Sequence, residues 1–264
     1  MTYSLTDNCK TLMSIGLLNG QIPRILFKYR DAEMTKLFLE NYKLKFSSVK
    51  SLNDPFEGRM NGGENITYGD IVNYLRSQKI DSNIIRIKAK EMLSDSDQLK
   101  QNTNNAINSV VKDLGIFCCT TKCDDILMWA HYANSHKGFC LEFDVSEDLD
   151  LFCFPQKVVY DSKYPVFNYF KNYKETVGEV TKAIYHKFKE WEYEEEYRVV
   201  KMKCADRLLS VNPQALKSII IGCNTSQDDI DEVMVALKNK DLSHVTLKKA
   251  EIDAGYYRIN IIDY

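Results

Sequence analysis

Two glutamates near the start of a predicted strand, Glu194 and Glu196, are the residues of this sequence best suited to chemistry. They lie in Lys189–Lys201, where five acidic residues alternate with aromatic ones. Alternate residues of a strand face the same side, so a strand over Glu194–Met202 places both carboxylates together and turns Glu195 away. Close carboxylates repel each other and favour a cation or substrate hydroxyl groups between them. The pair suits a reaction in which a sugar carbon becomes cationic and an acceptor loses a proton.

A second group of candidate residues lies in Met128–Gly138, on a predicted helix and the turn after it. Trp129 and Tyr132 are three residues apart, so they share a helical face and can stack on the ring of a ligand. His131 and His136 are five residues apart, whereas a helical metal pair is spaced by four. This segment therefore predicts a ligand-stacking surface rather than a metal site.

Two shorter patterns also contain residue types that can bind a ligand. Arg30 ends the predicted strand Ile25–Arg30, and an arginine at a strand end can bind phosphate through two parallel hydrogen bonds. The Asn-Asp-Pro sequence within Leu52–Glu57 predicts a turn whose acidic side chains can hold a metal or a ribose.

Each of these patterns also has a purely structural interpretation. The acidic run of Lys189–Lys201 is compatible with a solvated edge strand. Trp129 and Tyr132 can belong to the core, with His136 at the helix C-terminus. The Asn-Asp-Pro turn can use its side chains on its own backbone, and Arg30 can form a surface salt bridge.

Composition and charge narrow the class of protein. The net charge of −2 gives no basic footprint for a dedicated duplex nucleic-acid binder. Eight cysteines without a Cys-x-x-Cys pair, and an N-terminus without a secretory pattern, predict a soluble, unexported, cytoplasmic protein with free thiols. The motifs of P-loop proteins, kinases, α/β-hydrolases and zincins are absent from the sequence.

The hydrophobic pattern predicts an α+β fold with a split, mixed and mostly antiparallel sheet, around which helices pack. We expect a single domain over residues 1–264, with residues 59–115 as an inserted helical segment. Ser94–Asn105 is expected to be an irregular connection within it. Apolar residues close to helical spacing predict one long helix over Tyr169–Trp191. Asp31 is expected to cap the helix that follows the first strand.

The sequence resembles a bacterial family known only as domain-of-unknown-function family 2971. The resemblance rests on motifs that follow one another in the expected order along most of the chain. They are Phe27-Lys-Tyr-Arg30, Phe46-Ser-Ser48, Leu52-Asn-Asp-Pro-Phe-Glu57, Met128-Trp-Ala-His-Tyr-Ala133, His136-Lys-Gly138, Trp191-x-x-Glu194-x-Glu196-Tyr-Arg198 and Ile220-Ile-Gly222. This resemblance implies no established activity.

A weaker resemblance is to ADP-ribosyltransferases of the Arg-Ser-Glu type. Arg30, Ser47 (or Ser48) and Glu194-x-Glu196 follow one another in the order and in the strand contexts of that motif. The resemblance implies that Arg30 holds the phosphates or ribose of NAD and that Ser47 braces the nicotinamide side. It also implies that Glu196 stabilises an oxocarbenium ion and that Glu194 orients or deprotonates the acceptor. The serine strand differs from the motif, because it has Phe-Ser-Ser-Val in place of Ser-Thr-Ser.

These observations predict an enzyme that binds NAD as a substrate, without a metal, and acts at C1 of the ribose. Glu196, Glu194 and Arg30 are the expected catalytic residues. The expected cofactor-binding residues are Arg30, Tyr29, Ser47, Trp129, His131, Tyr132 and His136. The acceptor is a nucleic acid, a protein or water, and analogy suggests a toxin or phage-defence effector. No membrane partner is expected, and the oligomeric state stays open.

Two other functions remain open from the sequence. One is a metal-dependent hydrolase or nuclease, which would use Asp54, Glu57, Glu194, Glu196 and His136. The other is a non-catalytic module that binds a ligand or a partner protein.

Overall fold

A mixed β-sheet forms the centre of the computed structural model, which describes residues 5–62, 65–240 and 242–264. The strands are β1 (Ile25–Arg30), β2 (Lys43–Phe46), β3 (Asn61–Gly62), β4 (Leu114–Thr120), β5 (Phe139–Asp144), β6 (Gln156–Lys157), β7 (Val159–Asp161), β8 (Val166–Phe167), β9 (His186–Phe188), β10 (Glu196–Met202), β11 (Arg207–Ser210), β12 (Leu216–Ile221), β13 (Thr246–Ile252) and β14 (Ile259–Asp263).

Eight of these strands form the main sheet in the order β14-β13-β12-β5-β1-β4-β10-β6. The neighbours β12 and β13 are parallel, and the other neighbouring pairs of this sheet are antiparallel. Three two-stranded sheets, β2 with β11, β3 with β8, and β7 with β9, surround it. The predicted α+β class with a mixed, mostly antiparallel sheet is therefore confirmed.

Nine α-helices lie in the described ranges of the chain. They are α1 (Asp7–Leu18), α2 (Ala32–Asn41), α3 (Tyr68–Ser77), α4 (Ser82–Ser94), α5 (Ser96–Val111), α6 (Ile126–Tyr132), α7 (Tyr169–Asn172), α8 (Thr176–Ile184) and α9 (Gln227–Asn239). Asp31 caps α2 as predicted, because its carboxylate accepts a hydrogen bond from the backbone N–H of Met34 at 2.7 Å. Within the described ranges, no helix has both the length and the apolar character that crossing a bilayer requires.

The irregular connection predicted over Ser94–Asn105 is wrong, because α5 begins at Ser96 and continues to Val111. Asp95 caps this helix by accepting from the backbone N–H of Gln98. The buried positions of α5 follow a helical period although the helix is polar overall; they are Leu99, Thr103, Ile107 and Val110. Residues 59–115, predicted to be a helical insertion, thus contain three helices and β3, and residues 63 and 64 lie outside the described ranges.

The single long helix predicted over Tyr169–Trp191 is also wrong. The chain forms α7 and α8, leaves the helix after Ile184, and pairs as β9 with β7. A six-residue 3-10 segment, Lys189–Glu194, then leads toward β10. Strand pairing with β7 overrides the local helical pattern here, and it places Lys187 in the interior instead of on a helix surface.

Strands β1 and β4 pair over fewer residues than the strands on either side of them in the main sheet. These strands share the register pair Phe27 with Thr120, whereas β1 pairs with β5 over six residues and β10 with β4 over seven. Beyond that pair, Ser47 takes the place of β1 beside β4, because it exchanges both backbone hydrogen bonds with Ile116 at 2.8 Å. The two strands therefore separate, and a cavity lies between them.

Two glycines of the predicted motifs permit close backbone packing at the end of β1. A Cβ atom on Gly138 would lie 2.1 Å from the carbonyl oxygen of Arg30. A Cβ atom on Gly222 would lie 2.3 Å from the carbonyl oxygen of His136, and the N–H of Gly222 donates to the Gly138 carbonyl at 2.9 Å. The His136-Lys-Gly138 and Ile220-Ile-Gly222 motifs thus fix the backbone that carries Arg30.

Replacing Gly138 by Ala is expected to destabilise the protein by about 1–3 kcal/mol, because the new methyl group must displace the Arg30 backbone. Urea denaturation measures the change. Gly178→Ala is the matched control, since Gly178 lies exposed in α8 with nothing within 4 Å of an added Cβ atom. The control is expected to be neutral or stabilising by up to about 1 kcal/mol. Equal stability of the two variants would contradict the packing argument.

Candidate functional site

A cavity of about 260 Å³ lies between β1 and β4 and extends to the turn at Asn53 and the start of β10. Six of the residues predicted to form the site line it: Tyr29, Arg30, Ser47, Tyr132, Glu194 and Glu196. They come from distant parts of the sequence, so the fold brings together most of the predicted set. Lys28, Asn53, Glu57, Thr120 and Lys187 also line the cavity.

The two glutamates meet for a different reason from the one predicted. Glu194 ends the 3-10 segment, Glu195 has a left-handed conformation with φ of 42°, and β10 begins only at Glu196. The strand period therefore does not apply to Glu194, and the predicted strand start there is wrong. Glu194 and Glu196 meet because both bind the ammonium group of Lys187, at 2.5 and 3.1 Å. Glu195 does point away, toward Lys122 at 3.0 Å.

A buried cluster of five ionic side chains forms one wall of the cavity. We name it the ion-pair cluster; its members are Glu57, Lys187, Glu194, Glu196 and Arg198. The guanidinium of Arg198 binds both oxygens of Glu196, at 2.7 and 2.9 Å, and also contacts Glu57. Lys187 completes the network at 3.6 Å from Glu57. Every member is at most 6% exposed, so three carboxylates face two cations where little solvent reaches them.

Burial and the two cations set the protonation of the carboxylates. Burial by itself raises the pKa of Glu196, but Arg198 and then Lys187 lower it well below its usual value, so Glu196 is ionised. Burial is the largest influence on Glu194 and raises its pKa, although Lys187 opposes the change. The pKa of Glu57 is raised for the same reason, against the effect of Arg198. The cluster thus contains one fixed anion and two carboxyl groups that take up a proton more readily.

Hydrogen bonds orient the cluster toward the cavity. The hydroxyl group of Tyr132 donates to Glu194 Oε1 at 2.7 Å and accepts from the Asn53 amide at 3.1 Å. The backbone carbonyl of Glu194 accepts from Thr120 Oγ1 at 2.6 Å. The backbone N–H of Glu196 donates to the Tyr160 hydroxyl at 2.8 Å. The positions of both carboxylates are therefore fixed before any ligand enters.

The C-terminal half of β1 gives the cavity a cationic side. Lys28 and Arg30 are two residues apart on the strand, so their side chains share a face. Lys28 Nζ donates to the Cys118 carbonyl at 2.7 Å, and Arg30 Nε is buried with no hydrogen-bond partner among the described residues. Burial lowers the pKa of both groups. A buried guanidinium atom without an acceptor, in a cavity wall, is suited to bind an anion.

The structure distinguishes the two neighbouring serines. Ser47 lines the cavity, with its backbone held by Ile116. Ser48 lies at the surface, where its backbone N–H donates to Asp206 at 3.1 Å and its hydroxyl contacts Ser51. Ser47 is therefore the serine that can contact a ligand.

Three predicted residues lie outside the cavity lining. Trp129 is fully buried, donates through Nε1 to the Cys123 carbonyl at 2.8 Å, and packs edge-on against Tyr29 at 5.1 Å. His131 is exposed and lies 6.0 Å from the ring of Trp191. His136 ends a left-handed turn and has a φ of 66°. These three residues lie beside the cavity rather than in its lining, and Tyr29, which does line it, packs its ring against Trp129.

Lys187 is the main residue that the sequence reasoning missed. The sequence pattern puts Lys187 inside a long helix, where a lysine on the surface needs no partner. The one signal for it was indirect, because a pair of close carboxylates requires a cation. Arg198 belonged to a recognised motif but had no role assigned to it.

Three of the carboxylates expected to bind a metal in a metal-dependent hydrolase do lie close together, but they bind cationic side chains of the protein. Glu57, Glu194 and Glu196 surround Lys187. In the part of the chain that the structure describes, no group of three or more His, Cys, Asp or Glu side chains has the arrangement of a metal site.

Comparison with known proteins gives one family. A family model described as "Protein of unknown function (DUF2971)" matches residues 128–199. No curated protein and no solved structure shows a significant match. The matched segment contains four members of the ion-pair cluster, Lys187, Glu194, Glu196 and Arg198, together with Tyr132. The resemblance to this family that the sequence motifs predict is therefore confirmed over residues 128–199, where the chain is similar to the DUF2971 family.

Proposed function

We propose that the cavity binds NAD and that the protein acts at C1 of the nicotinamide ribose, as an ADP-ribosyltransferase or NAD hydrolase. One observation carries this proposal. Arg30, Ser47 and Glu196, which are far apart in sequence, line one cavity together with Tyr132. This is the arrangement that the Arg-Ser-Glu resemblance requires.

The distribution of charge supports an NAD-like ligand. Phe27 pairs with Thr120 and Thr120 with Glu196, so Arg30 lies three residues along β1 from the row that contains Glu196. That is about 10 Å at the rise of a strand. A cationic group at this end suits the pyrophosphate, and the ionised Glu196 at the other end suits a ribose on which positive charge develops.

The proposed reaction assigns a separate task to each glutamate. The bond between ribose C1 and the nicotinamide nitrogen breaks, and its electron pair leaves with neutral nicotinamide. The ionised Glu196 stabilises the positive charge that develops on the ribose. The acceptor loses its proton to Glu194 as it forms the new bond to C1, and the raised pKa of Glu194 makes it a better base near neutral pH.

The acceptor is a nucleic acid, a protein or water, and by analogy with other transferases the setting is a toxin or a phage-defence effector. The proposal places the protein in the cytoplasm. All eight cysteines are free thiols, as is typical of reducing compartments. A metal-dependent hydrolase is less well supported, because Lys187 occupies the point where the three carboxylates meet.

Wild-type protein is expected to release nicotinamide from NAD, which chromatography of the products measures. Glu194→Gln is expected to lower the rate about 10²–10⁴-fold, because it removes the base but keeps a polar group beside Tyr132. Arg30→Gln is expected to weaken NAD binding about 10–100-fold in calorimetric titration, because it removes a charge-assisted hydrogen bond.

Arg258→Gln is the matched control for Arg30→Gln. Arg258 is exposed, is ion-paired with Asp253 and lies outside the cavity lining, so NAD binding should not change. A folded wild-type protein that neither binds nor cleaves NAD at millimolar concentration, with nucleic acid, protein and water offered as acceptors, would overturn the proposed function.

The pH dependence of stability tests the assignment of Glu194. A carboxyl group whose pKa is raised on folding stabilises the folded state below its unfolded pKa of 4.5, and loses that contribution as pH rises through the folded value. Glu194→Gln removes this loss and leaves two carboxylates beside two cations. The free energy of unfolding of the variant, relative to wild type, is therefore expected to increase from about pH 5 to about pH 8.

Urea denaturation at the two pH values gives this difference. Glu190→Gln is the control, because Glu190 belongs to the same 3-10 segment but is exposed to solvent. Its difference from wild type should be the same at both pH values. A Glu194→Gln difference that stays constant or decreases with pH would show that Glu194 does not titrate in this way.

A further inference from the structure

A second cavity, of about 320 Å³, lies on the other side of the ion-pair cluster. It shares Glu57 and Lys187 with the first cavity. Its remaining walls come from the turn after Asn53, the loop between β7 and β8, and β9. None of the sequence motifs predicted this cavity, because its walls depend on the pairing of β7 with β9.

Three aromatic side chains of this cavity are unusually exposed. Phe56 is 59% exposed, Tyr164 43% and Phe188 48%. Single exposed aromatic residues are common, but three around one concave surface favour a ligand with a flat face. Aromatic faces of this kind are the platforms on which unpaired bases stack in proteins that bind single strands.

Two cationic side chains, Arg59 and Lys163, lie around these rings. The guanidinium of Arg59 lies 5.7 Å from the centre of the Phe56 ring. Lys163 and His186 line the same cavity, and His186 Nδ1 contacts the Lys182 carbonyl at 2.8 Å.

Two acidic groups also line the cavity, and both are already engaged. Glu57 is bound by Arg198 within the ion-pair cluster. Asp161 accepts a hydrogen bond from the backbone N–H of Lys163 at 3.1 Å. Asp161 stays ionised, so outside the ion-pair cluster Arg59 and Lys163 give the cavity two cations against one anion.

We propose that this second cavity binds a base of single-stranded nucleic acid, which stacks between Phe56, Tyr164 and Phe188 while Arg59 and Lys163 contact the adjoining phosphates. The net charge of −2 does not oppose this, because the cations are local to the cavity. The binding site stands by itself. The further step, that nucleic acid is the acceptor of the reaction at ribose C1, rests on the proposed function.

The two cavities are close enough for this step. Lys187 lines both of them and binds Glu194 and Glu196 directly. A strand anchored by one base in the second cavity therefore has a neighbouring nucleotide within reach of the mouth of the first. Such a nucleotide would lose a proton to Glu194 and form the bond to C1 as nicotinamide leaves.

Fluorescence anisotropy in the absence of NAD tests the binding. The probes are labelled single-stranded DNA and RNA of about 12 nucleotides, which is within the range of site sizes for such proteins, and the same sequences as duplexes. Single strands are expected to bind more tightly than duplexes. Phe56→Ala and Phe188→Ala are each expected to weaken that binding about 5- to 100-fold, because each removes a stacking face.

Lys163→Gln is expected to reduce the salt dependence of binding, since it removes a phosphate contact. Tyr257→Ala is the control, because Tyr257 is fully exposed on the turn between β13 and β14, outside both cavity linings. It should leave the affinity unchanged. The DNA and RNA arms show which kind of strand is bound.

No binding of either single strand, or equal affinity of wild type, Phe56→Ala and Phe188→Ala, would overturn this inference. Equal affinity for duplexes would also contradict it, because paired bases cannot stack in the cavity. A protein that cleaves NAD but binds no oligonucleotide would contradict this inference and leave the proposed function standing. The reverse result would overturn the NAD proposal and keep the binding site.

Discussion

The buried ion-pair cluster of Glu57, Lys187, Glu194, Glu196 and Arg198 joins segments of the chain that are distant in sequence. It connects the turn before Gly58, strand β9, the 3-10 segment and strand β10. Burying ions is costly, and removing one partner of such a network costs about 3–5 kcal/mol because the others remain buried and unpaired. A hydrophobic cluster of equal volume would serve stability as well, so the charges are better explained by what they do at the cavity.

Charge also organises the site as a whole. The cluster fixes Glu194 and Glu196 in one wall, while β1 presents Arg30 at a distance set by strand geometry. The backbone at Arg30 is in turn held by the close approach of Gly138. Because these groups are in place without a ligand, little reorganisation is needed when charge develops on a bound ribose. The same cluster separates two cavities, which lets one set of buried residues influence both.

Short sequence patterns predicted those elements of the structure that depend on interactions between neighbouring residues. Strand β1, the cap at Asp31 and the turn at Asn53–Glu57 follow from short patterns that the structure retains. The features that the sequence did not predict depend on contacts between residues that are distant in sequence. The segment at His186–Phe188 has a helical pattern but becomes a strand because β7 is beside it. Glu194 reaches Glu196 through Lys187 rather than through a strand period, and only the folded chain reveals that contact.

A crystal structure of the Glu194→Gln protein with NAD would test the central claim most directly, since the variant should bind the substrate without consuming it. The nicotinamide ribose is expected beside Glu196 and Tyr132, with the pyrophosphate within hydrogen-bonding distance of Arg30. NAD bound elsewhere, or a cavity that stays empty at saturating NAD with the ion-pair cluster intact, would contradict it.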